Sequence, residues 1–127
     1  NLPLLKGWIK SNNVNFYSIE YSWRKGEHPQ RGSFNPDFFI SYNNKIVVAE
    51  IKGDEQLSSP DEENVGKYKC AKAHFKVIND YLSNQGVNIK YIFTMITPKS
   101  FDVFFDKLES NEIDNFISML DNSIENS

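Results

Sequence analysis

Three side chains invite a chemical reading before any element is assigned. Asp37 follows Asn35-Pro36, and Glu50 and Lys52 flank Ile51. Two carboxylates offer the oxygen ligands that a hard Mg²⁺ ion prefers, and a backbone carbonyl such as that of Ile51 is a ready further donor; Mn²⁺ would substitute. An ion held this way keeps several waters, lowers the pKa of one of them and stabilises charge on phosphoryl oxygens. An ammonium group beside it orients the attacking water or stabilises the charge developing on the phosphate. Without a cation, two acids packed together repel each other. The set therefore specifies metal-assisted phosphoryl hydrolysis, provided the chain folds so that the three groups meet. On spacing alone, a surface hairpin with an incidental Glu50–Lys52 ion pair is the better reading, because an acid, a gap and E-x-K make a short, weak pattern.

The elements around the three residues favour the meeting. Asp37 to Tyr42 and Lys45 to Lys52 are β-rich runs separated by Asn43-Asn44, and Asn tolerates the positive φ of a tight hairpin. The hairpin returns the chain so that Asp37 lies near Glu50 and Lys52. KIVVAEIK is apolar on both faces until its end, as a central strand should be. Alternation puts Glu50 and Lys52 on one face above Ile46 and Val48, and turns Ile51 the other way. A strand buried on both faces rarely ends in two inward-facing charges without a reason.

Elsewhere, Leu2 to Ile9 is expected as a short helix, Phe16 to Trp23 as a half-buried strand with Tyr17, Ile19, Tyr21 and Trp23 inward, and Arg24 to Ser33 as a loop. Helical periodicity runs from about Glu62 to Asn84, with Asn64, Tyr68, Ala71, Phe75, Ile78 and Leu82 on the apolar stripe, Lys69, Lys72, Lys76 and Asp80 opposite, and Gly86 closing the helix. Ile89 to Ile96 is an apolar strand, so strand, helix and strand form a βαβ unit with parallel strands. Thr97-Pro98 starts a helix through about Leu108, Glu112 to Leu120 is a last amphipathic helix, and the tail from Asp121 is expected to fray. The fold class is α/β: a mixed β-sheet, made of an antiparallel meander and a βαβ crossover, flanked by helices.

The P-D, then E-x-K arrangement resembles the PD-(D/E)xK nuclease superfamily. The strings FNPDFFI, VVAEIKGDE, ENVGKYKCAKAHFKVIN and YIFTMITPKSFDVFFDKL resemble more narrowly the C-terminal nuclease domain of restriction-type helicases, type III restriction subunits being the nearest group. The likeness spans Arg31 to Leu108. It implies a restriction-endonuclease-like core, Mg²⁺-dependent DNA cleavage in restriction or anti-phage defence, and an upstream helicase or translocase in the same chain. Asp37 and Glu50 would then be metal ligands and Lys52 the catalytic lysine. Asn64 and Tyr68 have the i, i+4 spacing that other branches fill with Gln and Tyr near the active site, and some members use an upstream acid, for which Glu20 is the candidate. Lys67 borders the apolar stripe and joins them as a supporting residue. His74 is expected as a satisfied core histidine. Arg24, Lys25, His28 and Arg31 are candidate contacts to DNA phosphates, whereas Lys69, Lys72 and Lys76 suit a solvated face.

Composition bounds these expectations. With 127 residues, 39% of them hydrophobic, the chain suits one packed domain, and its opening at Asn1 fits a domain cut from a longer chain. A single cysteine points to a reducing, cytoplasmic setting, and the chain offers no zinc cluster and no apolar run able to span a bilayer. The net charge of −3 argues against a self-sufficient DNA binder, so affinity and target choice are expected from a neighbouring domain. One site cuts one strand at a time, and a double-strand break would need a second copy. The alternatives are a Holliday-junction-resolvase-like or RNA-cutting nuclease, which share the metal site, and an inactive nuclease-fold module that only binds DNA or a protein.

Overall fold

The computed structural model describes residues 7–10, 18–25 and 27–126. Its centre is strand β5 (Lys45–Ile51), in which Val47, Val48 and Ala49 are buried. Strand β4 (Phe38–Tyr42) returns against it through Asn43 and Asn44, whose φ values of 48° and 65° give the doubly left-handed turn that matches strand twist. Tyr42 faces Lys45, and Phe38 faces Ala49. Strand β1 (Gly7–Lys10) adds to β4 antiparallel, and β6 (Lys90–Ile96) lies parallel to β5, giving the order β1-β4-β5-β6. Helix α1 (Glu62–Asn84) makes the crossover between β5 and β6. A separate antiparallel pair, β2 (Ile19–Lys25) and β3 (His28–Phe34), leans on α1.

Alternation along β5 and β6 divides the core in two. Val48, Phe93 and Met95 pack with Tyr68, Ala71 and Phe75 of α1 and with Ile19, Tyr21 and Phe34 of the β2–β3 hairpin. Val47, Ala49, Ile92 and Ile96 face the other way, against Phe104 and Leu108 of helix α2 (Phe101–Glu109). The expected α1 limits and stripe are observed. Asp61 caps its first turn by accepting from the Asn64 amide. Gly86, at φ 71°, ends it with paired bonds from its own N–H to Ser83 and from Val87 to Leu82.

Among the described residues, the outer edge of β6 is closed by side chains and not by another strand. Asn79 exchanges two hydrogen bonds with the Tyr91 backbone, at 2.8 and 2.9 Å. Asp121 accepts from the Met95 amide at 2.9 Å and from the Thr94 hydroxyl at 2.5 Å, while the Ser118 hydroxyl donates to the Met95 carbonyl. Ser118 and Asp121 also form the capping box of helix α3 (Met119–Glu125). These groups satisfy strand atoms that would otherwise template aggregation.

Several expectations need correction. Gly7–Lys10 is a strand, not the end of a helix, and Leu2 to Lys6, like Phe16 and Tyr17, lies outside the described residues. The supposed loop from Arg24 to Ser33 holds strand β3, whose inward positions Gln30 and Gly32 are polar or small, so no apolar alternation marks it. A Cβ at Gly32 would stand 2.9 Å from the Tyr21 hydroxyl oxygen, so a larger residue there would have to displace the tip of the Tyr21 side chain. Proline is tolerated at position 29 because, among the described residues, no strand pairs with the other edge of β3. The β2–β3 pair stands apart from the four-stranded sheet instead of extending its meander. Thr97 makes no side-chain cap, and a single 3-10 turn (Pro98–Ser100) precedes α2. The last helix starts at Met119 and not at Glu112, because Ser118 and Asp121 supply the cap; Asp121, expected to fray, is buried.

The hairpin seats on α1 at Gly66, where a Cβ would lie 2.5 Å from the Ser22 carbonyl oxygen and 3.0 Å from the Trp23 Cβ. Alanine favours a helix interior over glycine by about 1 kcal/mol. A clash with backbone on this scale costs about 1–3 kcal/mol and should win. Gly66→Ala should therefore lower the urea midpoint; a raised midpoint would mean that the hairpin is not held against α1 at this position.

Candidate active site

The β4–β5 register places Asp37, one residue before β4, opposite Glu50, since Phe38 pairs with Ala49. The Ile51 amide donates to Asp37 Oδ2 at 2.8 Å, which fastens the carboxylate to the end of β5. A strand residue directs its N–H and C=O to the same side. The Ile51 carbonyl therefore points toward Asp37, beyond the end of β4. The next amide, that of Lys52, donates the other way, to the Ile96 carbonyl at 3.0 Å.

Glu50 shares the face of Val48, as its spacing requires, and is 6% exposed. Its Oε2 lies 3.3 Å from Lys52 Nζ, and its buried Oε1 has no hydrogen-bond partner among the described residues. Burial, reinforced by the charge of Asp37, pushes the Glu50 carboxyl up to about 7, although Lys52 and Lys67 pull in the opposite sense. The nearby ammonium groups thus leave the ionised form under-compensated. Two carboxylates, one with a buried oxygen unpartnered among the described residues, beside a strand-end carbonyl make a donor set that fits a hard divalent cation. Among the described residues no third His, Cys, Asp or Glu joins them as a metal cluster.

Lys67 of α1 is brought to this place. Its ammonium lies 5.3 Å from the Tyr21 ring centroid and 5.4 Å from that of Phe34. Burial lowers its pKa, and so does repulsion from Lys52, while Glu50 and Glu63 oppose the shift. The Tyr21 hydroxyl donates to Glu63 at 2.5 Å; burial first, then this bond and the Glu63 charge, hold the phenol up at about 12. The composition and spacing of the chain did not single out Tyr21, Phe34 or Glu63 as site residues. Their only signal was the inward position of Tyr21 on β2.

The other candidates lie elsewhere. Tyr68 packs on Phe93 and its hydroxyl donates to Glu125, so it faces α3 and not Glu50. Asn64 serves the start of α1, donating its amide to Asp61 and its Nδ2 to Gln56. Glu20 is exposed on β2 and is not among the charges that act on Glu50. Arg24, His28 and Arg31 are exposed on the β2–β3 hairpin, where Arg24 Nη1 donates to the Glu27 carbonyl at 3.3 Å; the Lys25 side chain lies outside the described residues. His74 is half-buried, edge-on to Phe75, and burial lowers its pKa. Lys69, Lys72 and Lys76 are exposed, as expected of a solvated face, with Lys76 paired to Asp80.

Residues 5–96, which include Asp37, Glu50, Lys52 and Lys67, match the family model described as an endonuclease domain. No curated protein and no solved structure matches the chain. The mixed α/β architecture agrees with a restriction-endonuclease-like fold. Among the described residues, no helix is long and apolar enough to cross a membrane.

The Glu50 environment has a consequence for stability in metal-free buffer. The carboxyl group is raised from 4.5 in the unfolded chain to about 7 in the fold. Its contribution is therefore complete below pH 4.5 and is lost as pH rises toward 7, a loss of up to about 3 kcal/mol. Glu50→Gln should match the wild-type thermal midpoint near pH 4.5 and exceed it by several degrees at pH 8. A constant difference between the two midpoints across that range would show that burial does not suppress the charge of Glu50.

Proposed function

The chain belongs to the endonuclease-domain family, and from that premise we propose that it hydrolyses DNA phosphodiester bonds with a divalent ion, Mg²⁺ or Mn²⁺, held by Asp37, Glu50 and the Ile51 carbonyl. The observation that carries this reading is the buried Oε1 of Glu50, unpartnered among the described residues, beside the fastened carboxylate of Asp37. A site that raises a carboxyl to about 7 destabilises its own charge, and a bound cation offsets that penalty. Such an ion supplies Lewis acidity toward a phosphoryl oxygen and lowers the pKa of a water molecule.

The chain's own groups do the positioning. The Ile51 amide holds one oxygen of Asp37, Oδ2, at the end of β5. Val47 and Ala49 on one face, with Val48 on the other, fix the β5 backbone, and so fix Glu50 and Lys52 relative to one another. Lys52, 3.3 Å from Glu50, is the catalytic lysine: its ammonium orients the attacking water or stabilises the charge developing on the phosphate. Water attacks phosphorus in line while its proton passes to solvent, the opposite P–O bond breaks, and the departing oxygen takes a proton from solvent and leaves as an alcohol.

The resemblance of Arg31 to Leu108 to type III restriction-type helicase-nucleases extends the proposal. In it, residues 1–127 act as one nuclease domain attached to an ATP-driven translocase in the same chain, in restriction or anti-phage defence. The acidic balance of the chain supports a division of labour in which other domains supply most of the DNA affinity. One site per copy implies that two copies act together where both strands are cut.

Lys52→Ala should leave the circular dichroism spectrum unchanged and lower the Mg²⁺-dependent cleavage rate by at least about 10²-fold. Cleavage at the wild-type rate would remove Lys52 from the chemistry. Asp37→Asn should weaken Mn²⁺ binding, measured by calorimetry, by about tenfold or more; equal affinity would place the ion away from Asp37.

A further inference from the structure

Lys67 poses a physical question that the metal site alone does not answer. Lysines on a helix border ordinarily extend their ammonium into water. This one is half-buried, with its charge over the rings of Tyr21 and Phe34, and close enough to Lys52 for the two ammonium groups to repel. Both rings are buried, and both come from the β2–β3 hairpin, which is seated on α1 one residue away, at Gly66. Tyr21 is itself tied to Glu63, one turn before Lys67 on the same helix. Hairpin and helix therefore hold the Lys67 charge in place against repulsion.

We propose that Lys67 is a second phosphate-binding cation of this active site, and that the Tyr21–Phe34 aromatic seat exists to hold it there. This rests on the nuclease reading above and deepens it by naming what grips the scissile phosphodiester opposite Lys52. The argument is one of charge. Asp37 and Glu50 are neutralised when a divalent ion binds between them. Lys52 and Lys67 then outweigh the remaining neighbouring acid, Glu63, whose carboxylate is engaged by the Tyr21 hydroxyl. The excess positive charge suits one anionic diester, which relieves the repulsion between the two ammonium groups by lying between them. Attack by hydroxide adds a second negative charge to that diester, so two converging cations favour the transition state over the ground state. Two carboxylates provide for one ion, and Lys67 supplies positive charge that a second ion contributes in two-metal sites.

The test uses the whole chain and a short DNA duplex, with Ca²⁺ replacing Mg²⁺ so that binding is read apart from cutting. Lys67→Met keeps the aliphatic stem on the two rings and removes the charge, and Lys67→Arg keeps the charge. Duplex affinity should fall about tenfold in Lys67→Met, with the slope of log affinity against log salt reduced by about 1, and should be largely kept in Lys67→Arg. In ¹⁵N-lysine spectra of the wild type, the Lys67 Nζ signal, identified by its loss in Lys67→Arg, should move when the duplex is added. If the wild type binds the duplex while Lys67→Met binds equally well with an unchanged salt slope, Lys67 is only a cover for the aromatic rings and the proposal is overturned. If the wild type with Ca²⁺ binds no duplex at low salt even at the millimolar concentrations of the spectra, where the weak affinity left to this chain would still be seen, the nuclease reading itself fails, and the role of Lys67 with it.

Discussion

The structure turns on one electrostatic constraint: a carboxylate, Glu50, is buried at the end of a strand that is apolar on both faces. Val47 and Ala49 are committed to one core layer and Val48 to the other, so the strand cannot rotate to release Glu50 to water. Among the described residues only the inward-facing ammonium of Lys52 partners it directly, and one oxygen is left without a partner. Burying a charge in this way is unfavourable unless a cation completes the arrangement. Glu50 is thus short of positive charge in the fold, and the cation proposed for Asp37 and Glu50 would supply it.

The rest of the molecule keeps that arrangement rigid. The β4–β5 hairpin brings Asp37 to Glu50 through its register, and the Ile51 amide fixes it there. Helix α1 covers the Glu50 face and carries Lys67 into it, while the β2–β3 hairpin covers α1. Asn79, Ser118 and Asp121 close the open edge of β6, so that the strand paired with β5 does not fray at the level of the site. Groups far from the three central side chains therefore act on them through strand position.

Much of this was legible in the chain because its signals were local. KIVVAEIK declares a central strand with a charged end, Asn43-Asn44 declares the turn, and together they give the meeting of Asp37 with Glu50 and Lys52. The long stripe of α1 and its closure at Gly86 are as plain. The signals failed where inward positions are not apolar. Strand β3 points Gln30 and Gly32 inward, so its alternation is invisible as hydrophobicity and its Pro and Gly suggest a loop. The last helix was misplaced because the buried Asp121, which is polar, sets its start. Tyr68 and Asn64 have a suggestive spacing, yet that spacing cannot tell which neighbour each side chain meets. Tyr68 turns to Glu125, and Lys67, one residue before it, turns to the site.

The central claim is that Asp37 and Glu50 jointly hold a divalent cation. Anomalous diffraction from crystals soaked in Mn²⁺ at pH 8, where Glu50 is ionised, tests it most directly. The account predicts a manganese peak within bonding distance of one oxygen from each carboxylate and of the Ile51 carbonyl. A peak bound by other residues, with Glu50 Oε1 still unpartnered at full Mn²⁺ occupancy, would contradict it.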